Sequence, residues 1–446
     1  MSAIDPQFAA DFTDRYAPYL NPQPEVNSFR EFARFVPAAQ RSGRQFRGPM
    51  QSSISHGVTI DITGTAYALN AARPAGEQEY ILDGPDLLVR ETFPYSAALK
   101  ASNGVSKDGQ SAAYWEPMDK VMMTMMRGID HYTEIAMMFG PGSGATILSD
   151  IGELAANPQP TGALNWNAGP LIALTALSWA PGIWNNSGDG GNVAGGMLID
   201  VMNSAGTATV ATNIPVQSIG DPALCRIQLK AGGTGASLPV AGQRIIPAGW
   251  FGKGCAGVQG WLQNTGTLAN INAATNWFWR ARQFSAGNAK MTRAKVLQIC
   301  AKLFPNGAKN GLVSFCNAHT FADLAEETST PAQSGGQWFE NGAETRIQGA
   351  ANLQYISPVG KVEVRVHEYM KQGFQFFLEP GSTVRIGAAD TTIRGSNGSE
   401  GFFLELPNNA GSEMRVTSQQ APFMKFPARS ALAFNIVSDG QDLPSP

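Results

Sequence analysis

The sequence predicts an α+β chain, with helices packed on mixed sheets. Three observations carry that prediction. One long stretch has helical periodicity, several short segments toward the C-terminus alternate apolar and polar residues, and proline punctuates the N-terminal region too often for either element.

Residues 1–54 read as an extended arm broken by Pro6, Pro18, Pro22, Pro24, Pro37 and Pro49, with room for a short helix only over 28–35. Phe29, Phe32, Phe35 and Phe46 need a surface, and a second subunit is the expected one. A hairpin follows. Val58, Ile60 and Ile62 alternate with Thr59, Asp61 and Thr63, a second run covers 80–93, and Arg73-Pro74-Ala75-Gly76-Glu77 suits the loop between them. A two-stranded hairpin is marginal alone, so it is expected to lie on a neighbour.

Trp115, Met118, Met122, Met125, Ile129, Tyr132, Ala136 and Phe139 fall at alternating gaps of 3 and 4, one stripe of a helix. Pro117 belongs in a first turn, so the predicted helix is 116–139, about 36 Å long, with Trp115 just outside. Val121, Met123 and Met126 widen the stripe toward a second contact, and Gly140-Pro141-Gly142 ends it. Residues 143–287 read as a β-rich lobe with strands near 171–177, 207–216 and 225–230. A helix over 289–303 is expected behind Asn288 as cap, then a strand at 313–316 and a helix at 317–327. Strands at 362–366, 374–378, 384–386, 402–406 and 431–436 complete the set.

The 446 residues exceed what one core holds. Charged residues are 15%, against about 25% in an average globular protein, so much of the surface can be covered by other subunits at low desolvation cost. A net charge of -3 argues against a dedicated nucleic-acid binder. Locally, Arg30, Arg34, Arg41, Arg44 and Arg47 face the single acid Glu31, which fits a subunit contact, a nucleic-acid-facing surface or a solvated segment. Cys225, Cys255, Cys300 and Cys316 lack paired spacing and read as buried free thiols. No apolar run is long enough for a membrane span, and the first ten residues do not read as a signal peptide.

Motifs for chemistry are missing. His56, His131, His319 and His367 are too scattered for a local metal cluster. The glycine loop at 140–145 follows a helix and lacks the lysine of a phosphate loop. The calcium-like turn from Asn185 places Gly196 where a bidentate Glu is required. Glu326 with Glu327, and Glu77 with Glu79, look exposed. The expectation is no catalytic residue, no cofactor, no metal and no enzyme activity.

Segment order carries the resemblance. Basic arm, hairpin, long helix, β-rich lobe, then helix, strand, helix and terminal strands resembles the major capsid protein of tailed bacteriophages, the Hong Kong 97-type fold. The stretches Val258-Gln259-Gly260-Trp261-Leu262, Trp277-Phe278-Trp279-Arg280-Ala281, Ser314-Phe315-Cys316, His319 to Leu324 and Gly360 to His367 are similar in texture. The resemblance implies an N-terminal arm at 1–54, an extended loop at 55–111, a peripheral domain with its spine helix at 112–165 and a β-rich lobe completing it at 166–289. An axial domain at 290–428 and a return strand to the peripheral domain within 429–446 follow. It further implies a homo-oligomer of pentamers and hexamers in an icosahedral virion shell assembled in the host cytoplasm. The implied partners are a portal protein, scaffolding and cement or decoration proteins and packaged double-stranded DNA, with no membrane. Some members join subunits through a lysine in the extended loop, but residues 55–99 contain none, which points to non-covalent contacts. The short stretch before the helix implies that scaffolding comes from another protein. A tail or sheath subunit, or an enzyme with a dispersed site, is the rival reading.

Overall fold

The structure is a computed structural model that describes residues 28–37, 45–60, 69–94, 112–159, 163–185, 187–189, 196–332, 353–393, 404–405 and 411–443. Along the chain come α1 (Ser28–Phe32), β1 (Phe35–Pro37), β2 (Gln45–Gln51), β3 (Glu77–Asp83), β4 (Asp86–Pro94) and the long helix α2 (Ala112–Phe139). The lobe holds β5 (Gly152–Glu153), β6 (Leu171–Ala173), α3 (Pro181–Asn185), β7 (Leu198–Met202), β8 (Thr209–Asp221), β9 (Arg226–Leu229) and β10 (Arg244–Pro247). Then follow α4 (Val258–Gln263), β11 (Thr267–Leu268), β12 (Ile271–Asn272), β13 (Arg282–Ala289), α5 (Arg293–Leu303), β14 (Leu312–Cys316) and α6 (Ala318–Ala332). The last strands are β15 (Leu353–Ser357), β16 (Gly360–Val366), β17 (Phe374–Leu378), β18 (Thr383–Ile393), β19 (Leu404–Glu405), β20 (Gly411–Met424) and β21 (Ala431–Ile436).

Three larger sheets organise these elements. In the lobe the order is β5-β10-β7-β8-β9-β6. A second sheet, β13-β21-β17-β14-β16-β15, carries α5 and α6, whose apolar faces (Val296, Ile299, Leu303, Leu324) bury against Val362, Val364 and Phe377. The third joins β1, β18, β20 and β19, with β4 also on β20. On it lies α2, through Met125 and Ile129 against Met414 and Val416. At its C-terminal end α2 is buried on all sides, Ile135 to Phe139 being at most 2% exposed. Helix and lobe meet there with no room for a side chain. A Cβ on Gly140 would lie 2.4 Å from the Cys255 carbonyl oxygen, and Gly257 donates its N–H to Gly140 O at 2.9 Å.

Several expectations need correction. The helix starts at Ala112, takes in Trp115 and carries Pro117 in its second turn, where the ring sacrifices one backbone hydrogen bond near an end that frays most easily. Met126 packs with Met122 against the third sheet, but Met123 is 54% exposed. Val58 and Ile60 form no strand; β3 pairs with β2, inside the expected arm, over Gln45↔Asp83 to Gln51↔Glu77. Gly84-Pro85 splits the run 80–93, and its second half joins β20. Ile62 lies outside the described residues.

The described part of the arm is covered by its own subunit: Phe29 is fully buried and Phe46 nearly so. Phe32 meets Phe315 edge-on at 5.3 Å, and Arg385 lies over the Phe35 ring. The helix expected at 289–303 starts at Arg293, because Asn288 has φ 53° inside β13 and Thr292 accepts from Lys295 N–H as the actual cap. Within 290–428, β14–β17 lie in the second sheet and β18–β20 in the third. The terminal strand β21 sits between β13 and β17 in the second sheet, and its Leu432 belongs to the same core as Phe139 of α2.

Candidate assembly interface

Between β2 and β3 the chain leaves the body as a narrow loop, residues 52–76, of which 61–68 lie outside the described residues. Scattered backbone and side-chain hydrogen bonds hold its limbs together in place of a regular ladder. Ser55 Oγ and His56 N both donate to Arg73 O, at 2.8 and 3.1 Å, and Ser52 N donates to Gly76 O at 2.7 Å. Asn70 closes the far end, its Nδ2 donating to Val58 O at 2.7 Å and its N–H to Thr59 Oγ1 at 2.9 Å. Gly57 lets the limbs approach: a Cβ there would sit 3.1 Å from Arg73 N. Apolar side chains decorate this frame. Ile54, Val58, Ile60 and Leu69 are 65%, 67%, 86% and 79% exposed, and full burial of each would release roughly 1.5–3 kcal/mol. Such a grouping on one projection marks a contact surface.

Elsewhere, polar groups lock the first described residues of the arm to the body. Phe29 N–H donates to Glu134 Oε1 at 2.7 Å, and His367 Nε2 reaches the same oxygen at 2.9 Å. His367 Nδ1 accepts from Tyr369 N–H, which leaves the ring proton on Nε2 to donate to Glu134. The Tyr369 hydroxyl meets His131 Nδ1 at 2.5 Å, and burial pushes the His131 imidazole down to about 4, so it is neutral at pH 7. Arg30 pairs with Asp130, and with Asp390 at 3.0 Å, and donates to Thr391 Oγ1. Burial raises the Asp130 carboxyl against the opposing pull of Arg30.

A second buried node joins three elements. Lys371 Nζ, 1% exposed, donates to Asp150 Oδ1 at 2.8 Å and Gln259 Oε1 at 3.0 Å and lies over Phe139. Its partners come from the turn after α2 and from α4, so the node fixes how the helix, the lobe and the second sheet meet.

Arg30 is turned inward onto acids, Arg34 and Arg47 are exposed, and Arg41 and Arg44 lie outside the described residues. Asp189 in the calcium-like turn pairs with Lys230 at 3.0 Å, while Asn186 and Gly190 lie outside the described residues. Glu327 caps α5 by accepting from Arg293 N–H. All four cysteines are free and buried, and burial raises Cys225 and Cys255 to about 12. Among the described residues no three His, Cys, Asp or Glu side chains group as metal ligands, and no helix is long and apolar enough to cross a membrane. The two buried nodes were missed in the sequence. Their trace is charge inside apolar runs: Glu134 beside Ile135, and Lys371 between Met370 and Phe374.

Long helix on a mixed sheet, helix-flanked second sheet, lobe and projecting loop define the class: this is the fold of a tailed-phage capsid subunit, the Hong Kong 97-type architecture. Over 96% of the chain it superposes on 97% of a chain in the cyanophage A-1(L) capsid asymmetric unit, at TM-score 0.50 and 9% identity. A gene transfer agent (GTA) particle capsid (TM-score 0.42, 8% identity, 95% of this chain and 96% of that one) and the cyanophage Pam1 capsid (0.40, 11%, 97% and 98%) are also similar. No protein-family profile and no curated sequence matches the chain.

Proposed function

We propose that this chain is a major capsid protein that assembles as pentamers and hexamers into an icosahedral shell around double-stranded DNA. The observation that carries the reading is the superposition on the A-1(L) capsid chain over nearly the whole length of both. The four exposed apolar residues on the loop support it, since a shell gives every copy a neighbour to cover them. In this reading the second sheet with α5 and α6 forms the axial part around the symmetry centres. The spine helix α2 with the third sheet forms the peripheral part, and the loop 52–76 lies on the adjacent copy.

Contacts are non-covalent, because the lysine-free stretch 55–99 offers no amine for a loop crosslink. A portal protein, scaffolding and cement or decoration proteins complete the virion, which assembles in the host cytoplasm. Negative-stain microscopy of purified protein tests the proposal. Isometric shells or free pentamers and hexamers are expected; tubes, fibres or a monomer persisting at high concentration would contradict it.

A further inference from the structure

Charge is unevenly spread along the chain. Residues 222–322 contain eleven Lys and Arg and no Asp or Glu, so the net charge of -3 conceals a strongly polarised molecule. Strand register gathers much of that charge at one end of the second sheet. Arg282, the first residue of β13, stands opposite Ala431, the first of β21, which in turn faces Phe377 near the end of β17. Leu378 pairs with Val313 at the start of β14, Leu312 with Val362 near the start of β16, and Ser357, the last residue of β15, with Gly360.

Six exposed cations occupy this end. Arg280 and Arg282 lead into β13, Lys302 lies in the last turn of α5, 4.9 Å from the Phe284 ring centre, and Lys309 precedes β14. Arg282 also donates to Asn306, between α5 and β14. Lys361 is the second residue of β16, and Lys425 donates its N–H to Ser382 O in the turn after β17. Across 277–284, 302–312, 357–362, 378–383 and 425–431 the one carboxylate is Glu379, which is buried and already paired with Arg429. Among the described residues none of the six cations forms an ion pair. Four of them are lysines, which protein interfaces deplete and phosphate backbones use as point charges. Spread over several separate segments, they suit an extended polyanion better than a single small anion.

We propose that this end of the second sheet binds the phosphate backbone of double-stranded DNA, through charge and without reading sequence. The proposal rests on the capsid reading, which supplies the DNA, and gives that DNA a surface on the subunit. The test follows the anisotropy of a fluorescein-labelled random-sequence duplex with the dispersed full-length subunit over a series of salt concentrations.

Affinity should fall with salt. The plot of log K against log salt should be less steep by about 3 in Arg282→Gln/Lys302→Gln/Lys309→Gln, at about 0.9 for each lost phosphate contact. The charge-retaining Arg282→Lys/Lys302→Arg/Lys309→Arg should keep the wild-type slope. So should Arg34→Gln/Arg90→Gln/Lys253→Gln, which removes equal charge from exposed positions on other elements. No binding by the wild type, equal slopes in the two Gln variants, or a slope lost in the charge-retaining one overturns the proposal. So does a first variant that binds DNA normally but no longer assembles, which makes this end a contact between copies. Microscopy separates the two claims: shells from a subunit that does not bind DNA overturn this surface alone, whereas the expected slopes in a protein that forms no shells overturn the capsid reading alone.

Discussion

Acid should weaken the subunit through His131. Its imidazole is buried with Nδ1 on the Tyr369 hydroxyl, which moves its titration from the ordinary 6.5 to about 4. At 1.36 kcal/mol per pH unit that difference is worth about 3 kcal/mol. The depressed folded value sets the sign: the unfolded chain takes up a proton below pH 6.5 and the folded one does not. The contribution is therefore whole above pH 6.5 and is lost as the pH falls toward 4. Asp130, raised by burial, works in the opposite sense, so the wild-type curve alone mixes the two groups. Comparison with His131→Asn isolates the ring, because the Asn amide can still hydrogen-bond to the Tyr369 hydroxyl. Urea unfolding of the unassembled subunit, followed by tryptophan fluorescence, should show the wild-type advantage over the variant shrinking by about 3 kcal/mol between pH 7 and pH 4. A difference that stays constant across that interval would refute the assignment.

Two glycines of the spine region should respond in opposite directions. Gly140→Ala puts a methyl 2.4 Å from the Cys255 carbonyl oxygen and 2.5 Å from that of Ala136, so a loss of about 3 kcal/mol is expected as a lower melting temperature. Gly128→Ala, with nothing within 4 Å, should stabilise by about 1 kcal/mol in the same assay. Lys371→Ala leaves buried Asp150 with Arg244, 3.9 Å away, as its remaining cation and should cost about 2–3 kcal/mol in chemical denaturation, which an unchanged midpoint would contradict. Deletion of 54–75 should preserve the unfolding midpoint and abolish assembly by light scattering. Deletion of 77–94 should unfold the chain, since β3 carries buried Leu82 and β4 pairs with β20 along nine registered positions from Gly411↔Pro94 to Gln419↔Asp86.

Elements whose burial pattern comes from one partner were legible in the sequence. The stripe from Met125 to Phe139, the alternation of Val362 and Val364, and the runs Phe374–Leu378 and Ala431–Ile436 all stand where periodicity places them. Strand β20 was not legible. Along it Glu413, Ser418 and Gln420 are buried, because Gln420 bonds Arg385 and Glu413 pairs with Arg415, so polar residues occupy positions that an alternation reading assigns to solvent. The pairing of β2 with β3 failed for a related reason. Pro49 and Gly48 look like breakers, yet Gly48 gives the Tyr80 ring its place, a Cβ there falling 2.6 Å from the Tyr80 hydroxyl. Meanwhile Val58 and Ile60 imitate a strand because an alternating apolar pattern arises equally from a surface meant for another molecule. The loop itself was readable as a projection; its frame of side-chain bonds and the inward turn of Arg30 required tertiary contacts.

That frame bears on how weak contacts can assemble a shell. A loop free to move would lose roughly 1–2 kcal/mol of backbone entropy for each residue ordered on docking, which would consume most of what four apolar side chains release on burial. Here the limbs are already tied by Ser52, Ser55, His56 and Asn70, so Ile54, Val58 and Ile60 are presented at little further ordering cost. The arm is likewise anchored before assembly, through Phe29 on Glu134 and Arg30 on Asp130 and Asp390. Loosening the loop without removing an apolar atom therefore discriminates preorganisation from mere stickiness. In Asn70→Gly the exposed side chains remain and the closing bonds to Val58 and Thr59 are weakened, the side-chain one lost outright. Assembly should then require a higher subunit concentration while monomer stability is unchanged; an unaltered threshold would mean that the frame contributes nothing to the contact.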